Sequence, residues 1–348
     1  MVEKEKSAEE MVNALVAQGY GSSGNIPDEL PEEIEQEIRP RTLRDFIGQE
    51  KLKDALTSYI AAARVSKEPL PHILLTGPPG IGKTTLAGIL ANEVGAPVHV
   101  VSGGGLAQRR HLAASLKYSG EGDLHFIDEI HSLRPDIQEA LYPAMEDFAV
   151  DIEVGVGKGA HVVRVDVPRF TLVGATTRPG GMLAPLRNRF TFIERFEHYT
   201  ADDLARIVQR SAPIIGARIT EKSAKLIAAR GRGVPRIANR LLVGTQALAL
   251  KKEAETIDEG MARNALKMQG SYEQGLSTEE LTYLTSLVRE FGGGPVGIDR
   301  ISAQLDKDPA TVKEVCEPYL LRARLIQLTR PGRVATLQGH AYIGKRES

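Results

Sequence analysis

The chain reads as an α/β domain with a parallel sheet and an inserted β-hairpin, then an all-helical domain, then a small C-terminal module of three helices and a hairpin. Three observations predict this order. A glycine-rich loop, Thr76-Gly77-Pro78-Pro79-Gly80-Ile81-Gly82-Lys83-Thr84-Thr85, stands between the apolar run His72-Ile73-Leu74-Leu75 and the helically spaced Leu86, Ile89, Leu90 and Val94. Apolar segments of strand length then alternate with helical ones as far as Arg178. From about residue 200 the apolar residues fall at helical spacing until a last pair of short strands.

With 348 residues the chain has room for two or three domains. Its one cysteine, Cys316, excludes an internal disulfide and fits a reducing cytoplasm. No stretch has the length or apolarity of a signal peptide or a membrane span, so a cytoplasmic protein without a membrane partner is expected. The net charge of −1 conceals an asymmetry: residues 1–38 carry ten acids against Lys4 and Lys6, and the rest is mildly basic. That acidic stretch, with Gly19-Tyr20-Gly21-Ser22-Ser23-Gly24, reads as a tail without a core of its own.

Pro40 imposes an extended approach to Leu43, Phe46 and Ile47, which have nothing local to pack on. A helix is expected from Gln49 to Val65. After the glycine loop come a strand at 96–101, a helix near 112–116, and the strand 122–129, which ends in Asp128 and Glu129. A helix over 135–147 leads to two alternating runs, 150–156 and 161–167, joined by a glycine-rich turn, the pattern of a hairpin. Its apolar face is either an inert edge or a docking site. The strand 169–178 ends at Thr176-Thr177-Arg178, and Arg187 and Arg189 follow in a short polar turn.

The chemistry concentrates on the loop. Glycines at 77, 80 and 82 let backbone N–H groups approach phosphates, and the helix N-terminus adds partial positive charge. Lys83 is spaced to reach the β- and γ-phosphates of ATP, and Thr84 to ligate Mg²⁺. Asp128 is placed to hold the metal through water, and Glu129 to orient or deprotonate the attacking water; helix capping is the plainer reading of both. Thr177 is a candidate contact for the γ-phosphate or the water. Arg187 and Arg189 are either surface residues or, in a ring-shaped ATPase, the source of a charge donated to a neighbouring subunit. Arg236 opens a helix, where its own dipole gives it no support, so it answers either a phosphate or a surface ion pair. At the C-terminus, helices near 281–291, 298–305 and 312–321 precede a hairpin with Arg330 and Arg333 at its turn. That is the order of a winged helix, which binds DNA or protein.

Together, Arg39-Pro40, the run Phe46-Ile47-Gly48-Gln49, the loop 77–84, and Asp128-Glu129-Ile130-His131 resemble the RuvB family, the ATP-driven motors of bacterial Holliday-junction branch migration. The runs 141–148 (Leu-Tyr-Pro-Ala-Met-Glu-Asp-Phe), 174–178, 235–240, 292–297 and 332–336 (Gly-Arg-Val-Ala-Thr) complete the resemblance, which covers about residues 38–337. It implies an AAA+ ATPase domain at 38–199, a lid at 200–270 and a winged helix at 271–348, following the acidic 1–37 that composition reads as a mostly disordered tail. It further implies a homohexameric ring on duplex DNA at four-way junctions, acting in recombination and DNA repair. RuvA is expected to dock on the hairpin 151–168, with a RuvC-type resolvase as a further partner.

Carried over residue by residue, Ile38, Arg39, Glu146, Asp147 and Phe148 line the adenine side, and Tyr199 touches the nucleotide. Gly77, Gly80, Gly82, Lys83, Thr84 and Thr85 hold phosphates and Mg²⁺. Asp128 and Glu129 are the metal-side and water-side acids, Thr177 the sensor threonine, Arg189 the arginine finger acting in trans, and Arg236 the lid sensor. Arg330 and Arg333 face DNA. In the wing, Leu328 replaces an arginine and Arg330-Pro331 reverses the usual order. The competing expectation is a nucleotide-dependent assembly switch of the clamp-loader kind, which hydrolyses ATP without translocating.

Overall fold

The computed structural model describes residues 7–17, 19, 29–154 and 161–345. Contacts divide the chain into two units, one of 31–207 with 233–239, the other of 1–30, 208–232 and 240–348. The stretch expected to be a mostly disordered tail carries two helices among its described residues. Helix α1 (Ala8–Ala17) buries Ala8 and Val12 completely, and Glu9 packs against Gly216 of the same unit. Helix α2 (Glu32–Glu37) buries Ile34. A few well-spaced apolar residues anchor a segment whose acidic composition suggests solvation.

The first unit is built on five parallel strands. After α3 (Glu50–Ser66) come β1 (Ile73–Thr76), α4 (Lys83–Val94), β2 (Val98–Ser102), α5 (Arg109–Lys117), β3 (Leu124–Asp128) and α6 (Pro135–Glu146). The hairpin β4 (Ala149–Val154) and β5 (His161–Asp166), then β6 (Thr171–Thr176), α7 (Ala184–Arg187) and β7 (Phe192–Arg195) complete it. The sheet order is β2-β3-β6-β1-β7, and β4-β5 form a separate antiparallel pair. Strands β1 and β6 are buried at every position, which is why they read as unbroken apolar runs. At the edge, β2 exposes Val98 and Val100. The hairpin's Ile152 packs on the core beside Val150, while Val154 and Val162 stay exposed. Its glycine-rich turn, 155–160, lies outside the described residues. Strand β7 and helix α7 were not foreseen: four residues carry too little periodicity to register.

Helix α8 (Ala201–Ile214) leads into the helical block, α9 (Glu221–Arg230), α10 (Pro235–Lys251) and α11 (Glu259–Met268). Thr220 and Asp258 cap α9 and α11 with side-chain hydrogen bonds to the third backbone N–H of each. The C-terminal module opens on α12 (Thr278–Arg289), fixed by a capping box between Ser277 and Glu280. Then come α13 (Ile298–Gln304), α14 (Pro309–Thr311), a π turn over Val312–Cys316, α15 (Glu317–Arg322), the hairpin β8 (Ile326–Thr329) and β9 (Gly332–Ala335), and α16 (Leu337–Gly344). Val296 pairs with Arg333 as a third edge to the hairpin. Tyr283, Leu284, Leu287, Ile301, Val312 and Leu320 form its core. Helix α16 is an addition to the expected three-helix order. Among the described residues no helix is long and apolar enough to cross a membrane.

Candidate nucleotide site

Three adjacent strands, β3, β6 and β1, bring their C-terminal ends to one place, the edge where parallel α/β sheets bind ligands. Thr76 and Thr176 stand level across β1 and β6. The loop leaves β1 with positive φ at Gly77, Gly80 and Gly82 (145°, 69° and 109°), which a side chain would resist. At Gly80 a Cβ would also lie 2.9 Å from the Cβ of Arg236. Lys83, 6% exposed, donates from Nζ to the carbonyls of Gly77 (2.9 Å) and Pro78 (2.8 Å). Burial pulls its ammonium below the ordinary lysine range, while Glu129 and Asp128 pull it back up. A buried cation beside a loop of upturned amides fits a phosphate, which would relieve that desolvation. Thr84 and Thr85 stand in the first turn of α4. The Thr84 hydroxyl and the Asp128 carboxylate are the hard oxygen donors that suit Mg²⁺.

At the end of β3, Asp128 Oδ1 accepts the backbone N–H of Glu129 at 2.9 Å. Glu129 itself adopts a left-handed backbone at φ 48°. Its Oε2 accepts from Thr177 N (3.3 Å) and Thr177 Oγ1 (3.1 Å), and His131 Nδ1 lies 3.0 Å away. His131 also meets Thr176 Oγ1 at 2.9 Å. The three-residue turn after β3 folds His131 back onto the carboxylate.

On the other side of the loop, Phe46 packs edge-on against Phe196 and abuts Gly82, so the apolar approach segment finds its partner across the chain. Tyr199 is buried against Gly48, with its backbone N–H on Gly233 O (3.0 Å). Ile38 is buried at the end of α2. Arg236 leans on the loop through its backbone N–H to Gly80 O (3.3 Å). Its Nε lies 3.0 Å from Glu35 Oε1, and Arg39 Nη2 lies 3.2 Å from Glu35 Oε2. Glu35 was not singled out in the sequence because it sat in a run of acids.

Glu146, Asp147 and Phe148 stand elsewhere. The His72 ring, at the start of β1, accepts the Leu172 N–H at Nδ1 (2.9 Å) and meets Met145 O at Nε2 (3.1 Å). Phe148 packs on Phe170, which precedes β6. These contacts put the three residues at the N-terminal edge of the sheet, at the end of β1 opposite the phosphate loop. Within this chain they therefore stand apart from the phosphate loop, although the resemblance places them on the adenine side. Asp147 pairs with Arg164 of the hairpin (2.8 Å). Glu146 pairs with Arg189, Nε to Oε1 at 3.1 Å, and the Arg189 guanidinium stands 4.4 Å from the Tyr142 ring centre. Arg189 belongs to that same far edge, since Thr191 N donates to His72 O (3.1 Å).

Family comparisons fall on all three segments. The Holliday junction DNA helicase RuvB P-loop domain matches residues 38–196, the RuvB AAA lid domain 199–270, and the RuvB C-terminal winged helix domain 273–344. The chain belongs to the RuvB family. It is 49% identical over 318 residues to the Holliday junction branch migration complex subunit RuvB of Rubrobacter xylanophilus, covering 91% of this chain and 90% of that one. The solved RuvB Holliday junction branch migration motor of Thermotoga maritima is 38% identical, with a TM-score of 0.75 over 89% of this chain and 99% of that one. An arginine-to-alanine variant of the Thermotoga protein superimposes with a TM-score of 0.74 at 37% identity, over 88% of this chain and 98% of that one.

The winged helix of this chain corrects one further expectation. Arg333 does not point out of the wing. Its side chain is 15% exposed and forks onto Glu317 at 2.7 and 3.2 Å, where Tyr283 also donates at 3.0 Å. Arg330, in the turn between β8 and β9, is exposed, as is Leu328.

Proposed function

We propose that this protein is an ATP-hydrolysing motor that drives branch migration of Holliday junctions, working as a homohexameric ring on duplex DNA together with RuvA. The observation that carries this reading is the convergence of Lys83, Asp128, Glu129 and Thr177 at one sheet edge while Arg189 stands at the other. One subunit then completes its neighbour's site. In this reading Gly77, Gly80, Gly82, Lys83, Thr84 and Thr85 bind the phosphates, and Ile38, Arg39 and Tyr199 bound the base and sugar. Thr84 and Asp128 hold Mg²⁺, which when bound neutralises phosphate charge. Glu129 takes a proton from water as the water attacks the γ-phosphorus and the bond to the bridging oxygen breaks, releasing ADP and phosphate. Thr177 fixes the Glu129 carboxylate, and Arg189 meets the charge that develops in the neighbouring subunit. Glu146, Asp147 and Phe148 share the Arg189 edge and accompany it towards that neighbour's nucleotide. Arg236 senses the third phosphate.

The domain division at 38–199, 200–270 and 271–348, with a preceding segment 1–37, belongs to the same proposal, as do RuvA docking on the hairpin 151–168, a RuvC-type resolvase as partner, and a cytoplasmic location. Arg330 supplies a wing contact to the DNA backbone. Family membership does not favour a switch that hydrolyses without translocating. The test is strand exchange of a four-way junction with RuvA, Mg²⁺ and ATP. Wild type is expected to dissociate the junction into duplex products by branch migration. Glu129→Gln is expected to bind ATP and to lose hydrolysis by about 10²-fold or more. ATP turnover without strand movement by the wild type would sink the motor reading.

A further inference from the structure

Glu35 lies outside the segment matched by the P-loop domain family, yet it touches the site. Its carboxylate bridges two arginines, Arg236 through Nε (3.0 Å) and Arg39 through Nη2 (3.2 Å). It is well covered, with a side-chain exposure of 16% against 45% for Arg236. Helix α2 fixes it in place: Arg39 follows at i+4, and the buried Ile34 pins the turn next to it. Arg236, at the first turn of α10, has no favourable dipole in its own helix. Its main chain is held to the phosphate loop at Gly80, so its side chain has the loop's phosphate site and Glu35 both within range.

We propose that Glu35 sets the preference of this site between nucleoside triphosphate and diphosphate, by holding Arg236 as an internal carboxylate that a third phosphate must displace. The exchange is reversible because neither partner is left stranded. Glu35 keeps its ion pair with Arg39 when Arg236 turns away, which avoids the cost of an orphaned half-buried charge. Arg236 trades a carboxylate for phosphate oxygens, which match its planar fork and carry more charge. A diphosphate has no third phosphate to offer and leaves the Glu35–Arg236 pair closed. Glu35 thus lowers affinity for the triphosphate alone. This inference rests on the phosphate-sensing reading of Arg236.

The test compares dissociation constants of the full-length protein, with Mg²⁺, for ADP and for the non-hydrolysable ATP analogue with an imido β–γ bridge. Four proteins are needed: wild type, Glu35→Gln, Arg236→Ala and the double variant. Glu35→Gln is near-isosteric, and a thermal melt confirms its fold. It is expected to bind the analogue about two- to fivefold more tightly, the worth of a half-exposed ion pair, with ADP affinity unchanged. In the Arg236→Ala background the same substitution is expected to change nothing. Unchanged or weaker analogue binding by Glu35→Gln, an equal gain for ADP, or a gain that survives in the double variant overturns the proposal. If Arg236→Ala alone leaves analogue affinity intact, the sensing role of Arg236 fails and the proposal falls with it. If Arg236→Ala weakens the analogue and Glu35→Gln does not tighten it, only the role of Glu35 fails.

Discussion

At φ 48°, Glu129 occupies a backbone region that costs a residue with a side chain about 1 kcal/mol or more. The strain turns the carboxylate back over the end of β6, where Thr177 and His131 hold it. Asp128 and Glu129 were legible in the sequence because two acids ending an apolar strand break its pattern. Their supports were not, since nothing local says that a histidine two residues on folds back. A second histidine makes a stability prediction. His125 is 3% exposed in β3, stacked on His99 with ring centres 4.8 Å apart. Burial, helped by repulsion from His99 and opposed by Asp123, lowers it to about 4 from 6.5. The unfolded chain therefore binds a proton that the folded chain refuses. Stability is complete above pH 6.5 and falls as pH drops towards 4, by at most about 3 kcal/mol. Urea unfolding between pH 7 and 4.5 should show this slope, and His125→Phe should flatten it. An identical slope in the variant would assign the loss to other groups.

Among the elements, the sheet strands other than β7 and the hairpin announced themselves through period and length, and the wing through three helices followed by a pair of short strands. Which way Arg333 points depended on Glu317, in a helix sixteen residues earlier, and no local pattern names that partner. The two arginines of the wing should therefore part in experiment. Arg333→Ala strands a buried carboxylate and should destabilise the winged helix by about 3–5 kcal/mol. Arg330→Ala should leave the melting temperature alone, weaken duplex binding, and reduce the slope of log K against log salt by about one. Equal melting temperatures for the two variants would remove the structural role given to Arg333. The acidic N-terminal segment misled in a similar way: composition suggested solvation, yet Val12 is wholly buried in α1.

At the scale of the molecule, the phosphate loop and Arg189 stand at opposite ends of one parallel sheet. The resemblance assigns Arg189 to a neighbouring subunit, although it follows Thr177 by only twelve residues along the sequence. Lys83→Ala and Arg189→Ala should each abolish hydrolysis, and mixing them should restore part of it at the interfaces that pair an intact loop with an intact arginine. Mixtures as inert as their components would refute action between subunits. In the proposed ring each subunit has one giving face and one receiving face, so its contacts are head-to-tail. A closed ring then has as many finished sites as subunits, whereas a string of copies that fails to close always ends on a receiving face with no donor. Breaking the circle at a single seam would therefore silence one site without altering any residue, and the gap itself would mark where in the cycle turnover has stopped.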